Sequence, residues 1–280
     1  MEYFDLLNSR KYALIIWLVV FFAWAILKKE IRNSFFGIFK TLAHRVFLCT
    51  FTALFLYLAF IIFLFSEVGL WNTTLIPETV FWFFGSAIVI LFSVNDATQD
   101  NQFFKKIITN NLKLLVAIEF LVNVYTFHLV VELILLPIIL LIVGVSALAE
   151  TKKEYAQVKK FTDVILIAFG FFLIIFALFK VFVDYQGFAT LTNLQSFILP
   201  PLLTLTYIPF LYVIALFMAY ETLFVRLNLF TKENKNLRPV AKRKIILLCH
   251  LNLWKLNKFS KSSIQQLISL STADDVEIDK

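Results

Sequence analysis

The residues with chemical potential are few, and they sit in unusual surroundings. Within the almost wholly apolar stretch 107–148, Glu119 and Asn123 are four residues apart, so on a helix they share one face. A charged side chain at that depth costs roughly 2.5–3.5 kcal/mol on insertion scales. Such a pair suits an ion or proton pathway or a substrate contact. It equally suits a hydrogen bond to a neighbouring helix, worth about 0.6–2 kcal/mol. His128 and Glu132 repeat the spacing nearer the predicted outer end, where Lys180 lies at comparable depth. A Glu132–Lys180 pair would neutralise both charges. Asp184, four residues beyond Lys180, is a rival partner, and His128 offers a pH-sensing group.

A second set lies in 197–225. Pro209 falls inside a helical run, where it removes a backbone donor and kinks the helix. Thr204 and Tyr207 add hydroxyls on the same segment. Together they describe a bent helix that lines a cavity or packs against neighbours. Pro200 and Pro201 are expected in its first turns, where proline is tolerated. Asp163 is expected in the first turn of the preceding span, where the helix dipole favours a carboxylate.

Other chemistry is excluded by type and spacing. The chain has no HExxH, GxSxG, Walker A loop, GxGxxG opening a helix or CxxC. The three histidines, His44, His128 and His250, are far apart and fall on opposite predicted sides, so they make no metal site. Cys49 and Cys249 have no partner at metal spacing. No enzyme, no cofactor and no metal is expected.

The elements that position these residues follow from hydropathy. The 280-residue chain is 60% hydrophobic, with 34 phenylalanines, whereas soluble domains are about 45–50% apolar. Several apolar runs reach roughly 16–20 residues, as membrane-spanning helices require. The fold class is therefore an all-α integral membrane protein. Spans are predicted over 12–27, 46–65, 79–94, 107–126, 129–148, 161–183 and 197–225. The stretch 112–148 would make a helix of roughly 55 Å, too long for one crossing of a core of roughly 30 Å, so it is read as two spans with a turn near 125–128. The first run resembles a signal peptide in its front half, but it continues to Leu27 and ends in Lys28 and Lys29, as a span does. Gly85, Ser86 and Ala87 in the third span would let a neighbouring helix approach closely.

Charge sets the direction. With seven spans, the N-terminus outside and the C-terminus cytoplasmic, the 26 Lys and Arg fall on or near the inner face except Arg10, Lys11 and Lys180. Residues 28–45 read as an amphipathic basic helix on the membrane surface. Residues 226–280 read as a basic tail with an acidic end. Its stretch 240–259 is a surface helix that presents Lys242, Arg243, Lys244, Lys255 and Lys258 to anionic lipid. These basic surfaces flank spans, so lipid rather than nucleic acid explains the net charge of +7.

The expected location is a cell or inner membrane. Two functions remain open: transport or ion and proton conduction through an intramembrane polar site, or a non-catalytic sensor, anchor or membrane-disturbing effector. The effector would meet a cytoplasmic protein partner at the basic face, and a homo-oligomer is compatible with either.

Overall fold

The computed structural model describes residues 7–98, 100, 102–111, 120–122, 124–230 and 237–256. Every regular element among them is helical. Six helical segments are long and apolar enough to cross a membrane: Ser9–Leu27, Arg45–Glu67, Thr73–Ala97, Leu129–Glu150, Lys153–Val183 and Leu191–Asn228. This is the pattern of a multi-pass membrane protein, and the six coincide with all but one of the predicted spans. The remaining span, 107–126, carries Glu119 and Asn123, and both lie outside the described residues.

The chain forms two compact units. The first comprises Met1–Val80 and Leu112–Pro201, the second Phe81–Asn111 and Leu202–Lys280.

In the first unit, α1 (Ser9–Leu27) begins where the Asn8 side chain accepts a hydrogen bond from Lys11 N at 3.0 Å, meeting one of the donors a helix start leaves over. It ends where Lys28 turns extended, and α2 (Lys29–Leu42) follows with its polar and apolar faces separated. The third helix, α3 (Arg45–Glu67), stops at Gly69, whose φ of 77° is the left-handed conformation glycine adopts freely. There Leu70 N donates to Phe65 O at 2.8 Å. After Asn72 caps a 3-10 turn, α4 (Ile76–Trp82) begins the third span. Later in the unit, α7 (Leu129–Glu150) packs against both α1 and α8 (Ala156–Val183). Side chains such as Phe55, Leu140, Leu141, Phe171 and Ile175 are exposed. So much apolar surface is stable only against lipid.

Pro137 lies inside α7 and cannot donate to Leu133 O. Trp17 on α1 fills the vacancy, its Nε1 donating to that carbonyl at 2.9 Å.

In the second unit, the third span continues through a five-residue π turn, Phe83–Ala87, into α5 (Ile88–Ser93), and α6 (Phe103–Asn111) follows. In the first unit, one short turn of helix, α9 (Tyr185–Phe188), lies between α8 and the last long helix, which runs on into the second unit. The last long helix, α10 (Leu191–Phe230), has 40 residues, about 60 Å of helix against a hydrocarbon core of about 30 Å. It starts six residues before the predicted 197, which places Pro200 and Pro201 in its interior rather than its first turns.

The second half of α10 is covered by α11 (Leu237–Cys249), which runs back along it. Arg238 Nη2 donates to Asn228 O at 3.4 Å, Lys242 lies 5.2 Å from the Phe224 ring, and Tyr220 OH donates to His250 O at 2.6 Å. Ile245, Cys249, Leu253 and Leu256 are buried on that side. The single surface helix expected over 240–259 is therefore a correction. The helix ends at Cys249, His250 takes a left-handed φ of 44°, and Asn252 caps a short turn at 253–256.

Candidate functional site

Two polar clusters stand out, one in each unit. The first is ionic and lies at helix ends. Glu132, in the first turn of α7, is 2% exposed. Its carboxylate accepts from Arg10 Nε at 3.2 Å and from Arg10 Nη2 at 3.1 Å. The Phe127 amide adds a third bond at 3.1 Å, and Arg10 Nη1 donates to Val122 O at 3.1 Å. The planar guanidinium thus grips a carboxylate with two donors and a backbone carbonyl with a third. Lys11, the next residue on α1, pairs with Glu78 at the start of the third span. The other Glu78 oxygen, Oε2, is buried with no hydrogen-bond partner among the described residues.

This cluster corrects the pairing expected at Glu132. Its partner is Arg10, not Lys180. The Lys180 ammonium instead lies 5.8 Å from the centre of the Phe176 ring. Asp184 caps α9, accepting from Gly187 N at 3.1 Å, and its backbone carbonyl accepts from Tyr125 OH at 3.0 Å. A Cβ on Gly187 would meet the Asp184 carboxylate at 2.2 Å, so with any other residue here the Asp184 side chain would have to shift. His128 is exposed and precedes α7 without a side-chain cap.

The second cluster is neutral and lies mid-helix. Trp82 Nε1 donates to Thr204 Oγ1 at 2.9 Å, and Tyr207 OH donates to Ala87 O at 3.2 Å. Trp82 immediately precedes the π turn and Ala87 closes it, so the two bonds from α10 bracket the irregular backbone. Thr204 and Tyr207 have no exposed surface, and the Trp82 and Tyr207 rings meet edge-on at 5.7 Å. Pro209, two residues on, is exposed. Thr204 and Tyr207 therefore sit in a packed polar core, while Pro209 faces away from it. A π turn inside a span is tolerated where neighbours satisfy its backbone.

Of the predicted lipid-facing cations, Lys242 is held over Phe224, Lys255 lines a cavity beside Tyr212, and Lys258 lies outside the described residues. Arg243 and Lys244 are on α11. Asp163 is not in a first turn, because α8 starts at Ala156. Its carboxylate accepts from Ser146 Oγ at 2.8 Å and lies 3.5 Å from Lys159. No group of three or more His, Cys, Asp or Glu that could hold a metal occurs among the described residues.

Sequence reasoning missed Arg10, Lys11 and Glu78 as partners and Pro137 as a gap in the hydrogen bonding of α7. The signal was available for two of them. Arg10 and Lys11 were departures from the charge rule, and departures of that kind call for counter-ions. The chain matches no protein-family model, no curated protein sequence and no solved structure.

Proposed function

We propose that this protein conducts or transports a small ion or a proton, with the third span and α10 as its flexing elements. One observation supports this most. Two of the chain's three passages between the units lie on long helices, at or beside irregular backbone. The passage at 80/81 is followed by the π turn Phe83–Ala87, and the passage at 201/202 falls at Pro200–Pro201. Such interruptions are where helices bend. In this proposal Glu119 is the ionisable group of the pathway, Asn123 is its neighbour, and Thr204 and Tyr207 hold the flexing point closed.

The proposed topology is seven spans, N-terminus outside. Arg10 and Lys11 are adjacent and bind Glu132 and Glu78, so α7 and the third span begin at the same side. The third span leaves that side over Thr73–Ala97. In this proposal a crossing at 107–126 brings the chain back to the side where α7 begins. The same pairs neutralise two of the three cations that depart from the charge rule.

The test is flux into liposomes of a proton-sensitive dye and, separately, of potassium, for wild type and Glu119→Gln. Flux in wild type that falls at least tenfold in the variant is expected, a loss of about 1.4 kcal/mol or more. Equal flux in both removes Glu119 from the mechanism, and no flux under any gradient counts against the class.

A second function, effector or sensor with a cytoplasmic partner, is supported by the exposed mixture of Ile246, Leu247 and Arg243 on α11. A soluble partner recovered with wild type and lost with Arg243→Glu would favour it.

A further inference from the structure

We propose that the cavity between the end of the third span and the turn after α11 binds the headgroup of an anionic phospholipid. The cavity measures about 570 Å³ and is lined by Ala97, Asp100, Phe104, Tyr212 and residues 248–255. That size falls within the roughly 300–1,000 Å³ of small-molecule sites. All of its walls belong to the second unit.

Two charged side chains line it, and they are not equivalent. Asp100 already has its partners: Lys106 donates to one oxygen and the Gln102 amide to the other, the latter at 2.8 Å. The bond from Lys106 holds the Asp100 carboxyl below the usual range. Asp100 and Lys106 thus form a neutral pair. Lys255 has no carboxylate at ion-pair distance among the described residues. Among the described residues the wall therefore carries one cation with no carboxylate partner, which calls for an anion.

The rim says which kind. Leu248, Leu251 and Trp254 are 54%, 72% and 54% exposed. A water-soluble phosphate would leave them wet. A phospholipid places its phosphate at Lys255 and covers the rim with glycerol and acyl chains, at a gain of about 25 cal/mol per Å². Depth agrees. Ala97 ends the apolar helix Thr73–Ala97 and also lines the cavity, so the cavity lies at the level of headgroups, where tryptophan is enriched. Tyr212 fixes the turn from within, its hydroxyl donating to Leu251 O and accepting from Leu253 N at 3.3 Å. The proposal rests on Thr73–Ala97 crossing the bilayer, not on transport.

The experiment is native mass spectrometry of the full chain in detergent, with dioleoyl-phosphatidylglycerol and dioleoyl-phosphatidylcholine as competing probes. One phosphatidylglycerol retained per chain is expected, with phosphatidylcholine lost. Lys255→Glu should lower retention about tenfold, Leu251→Asn should also lower it, and Lys152→Glu, an exposed lysine of the first unit, should leave it unchanged. Equal retention in wild type and Lys255→Glu overturns the site. So does an equal loss with Lys152→Glu, which means diffuse attraction, or full displacement of the lipid by millimolar glycerol 3-phosphate, which means a soluble anion site. Because none of these readouts involves flux, the site can fail while conduction stands, and the reverse.

Discussion

The ionic cluster of Arg10, Lys11, Glu78 and Glu132 and the neutral cluster of Trp82, Ala87, Thr204 and Tyr207 differ in chemistry and in position. The first gathers full charges at helix starts. There water and headgroups limit the cost of ionisation, and each charge meets a counter-charge. The second uses an indole, two hydroxyls and a backbone carbonyl in helix interiors, where charge would cost most. The contrast bears on motion. Breaking a nearly buried ion pair strands a charge and costs about 3–5 kcal/mol. Breaking a neutral interhelical hydrogen bond costs about 0.6 kcal/mol on average. On these figures the first cluster costs more to break than the second.

The largest expected effect tests the holding role. Glu132→Ala leaves the Arg10 guanidinium without its carboxylate and the Phe127 amide without its acceptor. A loss of about 3–5 kcal/mol is expected in an SDS-titration unfolding assay. Arg10→Leu with Glu132→Leu should recover most of it, because no charge is then stranded. If the double variant is no better than the single one, packing and not charge holds this end.

A smaller effect should mark the neutral cluster. Tyr207→Phe removes only the bond to Ala87 O and keeps the ring against Trp82. A stability loss of about 0.6–1.7 kcal/mol is expected in the same assay, together with altered flux in liposomes. A loss as large as that of Glu132→Ala would erase the distinction between the clusters.

Much of the architecture was legible in the sequence because hydrophobic length is read residue by residue. The six described spans lie where apolar runs placed them. The errors arise where partners distant in the chain decide. Depth alone suggested Lys180 for Glu132, whereas the α1–α7 packing brings Arg10 to it, 122 residues away. The α8 start moved outward to Ala156, and Lys159 near that end meets both Glu150 and Asp163. Start of α10 moved to Leu191, where Thr190 Oγ1 accepts from Asn193 N at 3.2 Å, a local cap that apolar counting overlooks. At Gly85, Ser86 and Ala87 the small residues predict a close approach, and the structure adds a π turn that the sequence pattern does not announce. No periodicity signals a π turn, since it depends on a neighbour ready to bond its backbone. Thr204 and Tyr207 were legible as polar residues on a bent helix, but their bonds to the third span were not.

Amide hydrogen exchange on the protein in lipid nanodiscs tests most directly whether the two clusters differ in mobility. Exchange is predicted to be faster at 83–91 and 205–213 than at 10–20 and 130–140, and faster still at the first two segments in Tyr207→Phe. Equal protection of all four segments, or faster exchange around Arg10 and Glu132, would contradict a rigid ionic end and a flexing neutral core.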